Sequence, residues 1–363
     1  MKINISNVKY SSIVSIGEKI TKIEKETGKI FLKLNRGVNA VTNINLENII
    51  PNIAYNSNEF QLYAPNTGFS FLKQAILKEY NFSDDPNTIS ITPGGMPALD
   101  LVLQLLNVES VHFPKFYWGS YSKMATIRNT KFSFYDDFLN IDEHKISNSD
   151  CFLVCDPSNP TGIKMDDELL INKIKTITSF GAIIIFDCPY RKLFSNTDFS
   201  FLKNLKNVIV TESFSKWIGL PGLRLGFIYS NDKDFNNELN IRLLYEFNGV
   251  SSPSQMIVTD LLNTTYGKDA INKFQEDTVK DITLNINYLK ENGYLAKEIY
   301  KEKIPVGIFA IINKSEDYLL KYNIGSVGLD KFVYQKNELF KNLSRVCVSV
   351  PHNKFIEYFN KLK

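Results

Sequence analysis

Between about residues 67 and 230 the chain alternates short runs of apolar, often β-branched residues with longer stretches whose apolar positions recur every three or four. That is the pattern of strands joined by crossover helices. Seven runs predict strands: "TISIT" (88–92), "ESVHF" (109–113), "KFSFY" (131–135), "CFLVC" (151–155), "AIIIF" (182–186), "NVIVT" (207–211) and "LGFIY" (225–229). Several are apolar nearly throughout, as strands must be when helices cover both faces of a mostly parallel sheet. Between them, "TGFSFLKQAILKEY", "GMPALDLVLQLL" and "DDELLINKIKTITSF" carry the helical spacing. "LGFIY" follows "TESFSKWIGLPG" with no room for a crossover helix, so it is predicted to pair antiparallel.

After residue 235 the alternation stops. The stretch from "PSQMIVTDLLNTTYG" to "NINYLKENG" reads as helix and leads into the strand signals "VGIFAII" and "RVCVSV". The first forty or so residues precede the α/β rhythm, contain the helix-like "IVSIGEKITKIEKETG", and are expected to pack against this second part. The prediction is an α/β fold: a large three-layer αβα domain over residues 45–240, with a mostly parallel seven-stranded sheet, and a smaller α+β domain built from residues 1–44 and 241–363.

Composition narrows the partners. At 363 residues and 44% hydrophobic content the chain can bury two cores. A net charge of +3 without a dense Lys/Arg block argues against nucleic acid. No apolar stretch approaches the roughly 20 residues of a membrane span, and "MKINISNVKYSSIV" lacks a signal-peptide core, so a cytoplasmic location is expected. Cys151, Cys155, Cys188 and Cys347 show no zinc spacing, and His112, His144 and His352 form no ligand motif; no metal is expected.

In an open parallel sheet the ligand crevice lies beyond the carboxyl ends of the strands. The segments there are "PGGMPAL", "PKFYWGSY", "DPSNPTG", "DCPYRKLF" and "ESFSKWIGLPGLR". Gly94, Gly95 and Met96 open a predicted helix, whose free N–H groups and dipole suit an anion. Ser213 and Arg224 add a hydroxyl and a guanidinium fork. Asp187 ends a buried strand, and an ionised carboxylate there needs a partner. Lys216 sits just past another strand, where a lysine either reaches out to water or performs chemistry.

Together these segments resemble the fold-type I pyridoxal-phosphate enzymes, most closely the class I/II aminotransferases. "NPTG", "D-x-x-Y" and "S-x-S-K-x-x-G-L-x-G-x-R-x-G" stand in that family's order, and the resemblance spans about Gly37 to Arg345. It implies a homodimeric aminotransferase of amino-acid metabolism, moving an amino group between an amino acid and a 2-oxo acid. It also implies pyridoxal 5'-phosphate bound to Lys216 as a Schiff base, with Lys216 moving the Cα proton. By the same resemblance Asp187 pairs with the ring nitrogen, Tyr190 and Asn159 bond the phenolic oxygen, and Gly94, Gly95, Met96, Ser213, Ser215 and Arg224 surround the phosphate. Phe116 or Trp118 stacks on the ring, Tyr63 reaches the neighbouring subunit's phosphate, and Arg345, Gly37 and Asn159 hold the substrate carboxylate. Cys188 and Pro189 depart from the Glu-Ala that relatives often carry there.

Three other readings compete. "SFSK" matches the S-x-x-K motif of serine acyl-enzymes, but its companion motifs S-D-N and K-T-G are absent. A ligand-sensing regulator of the same fold would add a DNA-binding domain, and no basic block or helix-turn-helix-like pattern is read before residue 40. A decarboxylase or carbon–sulfur lyase would share every cofactor contact and differ in which Cα bond is broken.

Overall fold

Each of the seven runs forms a strand of one sheet. The computed structural model describes the chain apart from residues 4, 195–197, 336 and 363. After the two-residue β1 (Leu32–Lys33), the large sheet comprises β2 (Ile89–Thr92), β3 (Ser110–Pro114), β4 (Phe132–Tyr135), β5 (Asp150–Cys155), β6 (Ile183–Asp187), β7 (Val208–Ser213) and β8 (Gly226–Ser230). Their spatial order is β2-β8-β7-β6-β5-β3-β4. Only β8 runs against its neighbours, antiparallel to both β7 and β2; the other pairings are parallel. The antiparallel strand is the one whose connection was too short for a crossover.

Side chains alternate between two cores. Leu153, Ile185, Ile209 and Ile228 point to one face, against Leu99, Val102 and Leu243. Phe152, Ile184, Phe186, Val208 and Phe227 point to the other, against Leu72, Ile76 and Ile174. Both sets are essentially dry, which is why the strands read as unbroken apolar runs.

A second, three-stranded sheet holds β9 (Phe309–Ile312), β11 (Val327–Gly328) and β12 (Ser344–Cys347), and β10 (Ile324–Gly325) belongs to a third, two-stranded one. β12 lies between β11 and β9, antiparallel to both, while β10 pairs parallel with β1. The helix Ser12–Thr27 buries Ile16 and Ile20 in a cluster with Tyr300, Ile311, Val327 and Phe332. The helical stretch predicted after residue 252 is two helices, Ser252–Asn263 and Thr265–Glu291. Thr264 breaks it: extended, with its hydroxyl accepting from Gly267 N at 3.1 Å, it caps the second helix. Among the described residues no helix is long and apolar enough to cross a membrane.

Candidate active site

The reversed direction of β8 brings Arg224, which precedes it, to the same sheet edge as the carboxyl ends of β2, β5, β6 and β7. A cavity of about 400 Å³ opens at that edge.

Asp187, the last residue of β6, lines it. Its carboxylate accepts hydrogen bonds from the Tyr121 hydroxyl and, at 3.0 Å, from Thr211 Oγ1. Burial pushes its carboxyl up to about 6, because the neutral donors Tyr121 and Thr211 only partly replace water and no cation pairs with it among the described residues. Asn159 and Tyr190 line the same cavity, and Asn159 Nδ2 donates to the Tyr190 hydroxyl at 3.4 Å. The loop holding Asn159 and the turn holding Tyr190 are tied together by the buried Arg191, which bridges Asp156 and Asp167.

Lys216 also lines the cavity. Its Nζ donates to the carbonyl of Gly37, and its own carbonyl accepts from Asn39 Nδ2. Burial lowers the amine to about 8, and the Arg345 and Arg224 cations work in the same direction. A lysine so placed is neutral far more often than one in water.

Arg345 comes from β12 in the second sheet and is buried. Its Nη1 donates to Asn159 Oδ1 at 3.0 Å and its Nη2 to Asn35 O at 2.5 Å. The guanidinium lies against the rings of Phe309 and Phe332, 4.2 and 4.6 Å from their centroids. Nε has no partner, and burial lowers the group to about 10. Among the described residues no carboxylate pairs with it. A dry guanidinium without a counter-ion is a receptor for an anion from outside.

The remaining donors form a cradle. Gly94 has φ +106°, and a Cβ there would stand 2.8 Å from Arg224 Nη2, so this position requires glycine. Gly95 starts the helix Gly95–Leu105 and, with Met96, Ser213 and Ser215, lines the cavity. Pro97 falls in the helix's first turn, where proline is tolerated. Arg224 itself adopts a left-handed backbone, φ +50°, which costs a non-glycine residue of order 1 kcal/mol. We expect Arg224→Ala to weaken binding of a phosphate-bearing ligand by about 10-fold to 100-fold without lowering the melting temperature; calorimetric titration of the variant checks this.

Trp118 lines the cavity, standing edge-on to Tyr121, whereas Phe116 bridges to Val333 and packs edge-on against Phe340, outside it. Tyr63 lies on the surface, 86% exposed, and not in the cavity of this chain. Gly37 lines the cavity and offers its carbonyl. Cys188 is buried beside Thr211 O and does not line it. Sequence reasoning missed Tyr121 and Thr211 as partners of Asp187, although Tyr121 closes the quoted "PKFYWGSY". It also missed Asn35 and Asn39, which are distant in sequence and carry no local signal.

The family model for aminotransferase class I and II matches residues 29–316. The chain belongs to the class I and II aminotransferases. Similar proteins include histidinol-phosphate aminotransferases: that of Brachyspira hyodysenteriae is 25% identical over 80% of this chain and 87% of its own, and that of Buchnera aphidicola 29% over 84% and 85%. Among solved structures, Thermus thermophilus aspartate aminotransferase with maleate superposes with a TM-score of 0.85 at 17% identity, covering all of both chains. The enzyme is a pyridoxal-phosphate-dependent aminotransferase.

Its cavity fits that cofactor on its own evidence. A buried carboxylate without a cation, Asp187, suits a protonated ring nitrogen, and the Gly94–Gly95 turn beneath Arg224 leaves a space that a single Cβ would invade.

Proposed function

We propose that the enzyme takes the amino group from a carboxylate-bearing donor, with Lys216 as the amine that carries the cofactor and Arg345 as the carboxylate receptor. The observation that carries this reading is Arg345: buried, stacked between two phenyl rings, short of one partner, and bonded to the Asn159 side chain. Bound pyridoxal phosphate would supply an aldehyde for exchange between amines and a ring that withdraws electrons. Asp187 would hold a negative charge against that ring, and Tyr190 and Asn159 would hydrogen-bond its substituent oxygen. A carboxylate fixed bidentately by Arg345 turns the donor's Cα–H toward Lys216, whose neutral Nζ takes the proton.

The cavity wall bears on the donor's side chain. Ile13, Val14, Val38 and Trp118 line it, and the acidic side chains among the lining residues are Asp187 and Glu212. Glu212 Oε1 accepts from Ser213 N at 2.8 Å, and burial keeps its carboxyl well above the usual range. With no exposed acid among the described lining residues to receive a cation, apolar or aromatic donors are favoured over lysine or arginine; the names of the relatives make histidinol phosphate, which would offer Arg345 a phosphate in place of a carboxylate, a second donor to test. Arg345→Ala should lower kcat/KM for carboxylate-bearing donors by about 10²-fold to 10³-fold, since a buried charge-assisted pair is lost. If oxo-acid release from such donors is unchanged, Arg345 is not the receptor; release of carbon dioxide instead of oxo acid would contradict amino transfer itself.

Three coarser features complete the proposal. A division into a large domain over residues 45–240 and a small one from both chain ends accords with the separation of the seven-stranded sheet from the two smaller sheets, whose strands come from residues 32–33 and 309–347. Assembly as a homodimer is supported by Leu62 and Tyr63, which stand 63% and 86% exposed, as a surface that a second copy would cover. A cytoplasmic location is supported by four free, buried cysteines.

A further inference from the structure

The segment 34–40 runs between the strand that carries Arg345 and the loop that carries Lys216. On the β12 side, Cys347 N donates to Leu34 O at 2.9 Å, Arg345 Nη2 to Asn35 O at 2.5 Å, and Ala40 N donates to Ser349 O at 2.9 Å. On the opposite side, Lys216 Nζ donates to Gly37 O. Asn39 touches both sides at once: its Nδ2 donates to the main-chain carbonyl of Lys216, and its Oδ1 accepts from the buried Ser349 Oγ at 2.8 Å.

That carbonyl needs an external donor. Lys216 lies in a turn beyond β7, where neither helix nor ladder supplies an N–H, and a partly buried carbonyl left unpaired is costly. The next carbonyl in the turn, that of Trp217, is met in the same way by Gln275 Nε2 at 3.1 Å. An amide can serve a carbonyl and a hydroxyl together because it carries a donor and an acceptor side by side. The Lys216 oxygen can only accept, so the nitrogen of Asn39 must face it.

We infer that Asn39 is a positioning residue: its amide joins the Lys216 carbonyl to Ser349, beyond the end of β12, and so fixes the spacing between the Lys216 amine and the Arg345 guanidinium. The inference rests on the reading of Lys216 as the cofactor-carrying amine. Released from this clamp, the turn lets water reach the amine, and the spacing on which proton transfer depends becomes loose.

The test uses the apoprotein first. Reductive methylation of Lys216 is followed against pH by peptide mass spectrometry, in wild type, Asn39→Ala, Asn39→Asp, Ser349→Ala and the Asn39→Ala/Ser349→Ala double variant. Asn39→Asp keeps size and the acceptor for Ser349 but sets a charged oxygen against the Lys216 carbonyl. The wild-type midpoint is expected near 8. Both Asn39 variants should move it upward by about half a unit or more, as water reaches the amine. Ser349→Ala should move it in the same direction, and the double variant should add nothing beyond Asn39→Ala, because the two residues act through one clamp. In the loaded enzyme kcat should fall about tenfold with little change in donor KM. Unmoved midpoints in folded Asn39 variants, or strictly additive effects in the double variant, overturn the inference while leaving the role of Lys216 intact. Borohydride fixing the cofactor to another lysine in wild type overturns both.

Discussion

Lys216→Ala is expected to lower amino transfer by at least about 10⁴-fold, because one side chain supplies both the exchangeable amine and the proton carrier. The environment of that amine sets the expectation. Burial lowers it to about 8, and nearby Arg345 and Arg224 disfavour its charge further. The neutral form grows as pH rises through 8, so capture of pyridoxal phosphate by wild-type apoprotein should speed up across that range and level off above it. In the alanine variant the covalent step and its pH dependence should vanish together. The substitution leaves Gly94, Gly95, Ser213 and Arg224, the residues proposed to hold the phosphate, unchanged, so cofactor should still bind non-covalently. Added small primary amines should restore part of the rate; Lys216→Arg, which keeps the charge but forms no imine, should be as inactive as alanine. Stopped-flow absorbance of the cofactor measures capture, and oxo-acid release measures turnover.

Asp187→Asn is expected to pull function and stability in opposite directions. In the apoprotein the carboxyl is raised from 3.8 to about 6 by burial, which the hydrogen bonds from Tyr121 and Thr211 partly compensate. A carboxyl whose folded value lies above its unfolded one favours the folded state most at low pH, and that contribution is lost as pH rises through 6. At pH 7 the buried charge therefore costs the apoprotein of order 1–3 kcal/mol, and the neutral amide removes the cost. The variant apoprotein should melt higher than wild type at pH 7, with the difference shrinking toward pH 5. Catalysis should suffer, because the amide cannot hold the ring nitrogen protonated. A loss of about 10²-fold to 10³-fold in kcat follows from removing one preorganised charge at the reacting centre. Calorimetry of the two apoproteins at pH 5 and 7, beside their turnover rates, checks both halves. Equal melting temperatures at pH 7 would mean that Asp187 is not the isolated buried charge described here.

The large sheet was legible in the sequence because burial on both faces leaves unbroken runs such as "AIIIF" and "NVIVT", and because the short connection before "LGFIY" dictates its reversal. The ends of those runs were legible too, so Asp187 and Lys216 stood out by position, Asn159 and Tyr190 by resemblance to the family's motifs, and all four line one cavity. What stayed hidden was whatever depends on how separate segments dock. Phe116 and Trp118 sit two residues apart in a loop, and the Phe116–Val333 bridge that turns Phe116 away comes from the far end of the chain. The Gly37 carbonyl and Asn39 meet Lys216 across 179 and 177 residues. Tyr121 looks like any aromatic on a helix face until β6 places Asp187 beneath it.

The identity of the cofactor-bearing amine is tested most directly by chemical fixation. Holoenzyme reduced with borohydride, digested and mapped by mass spectrometry should carry the phosphopyridoxyl mass on the peptide containing Lys216, and on that lysine alone. A label on a different lysine, or a fully loaded protein that yields no labelled peptide, would contradict the mechanism at its root.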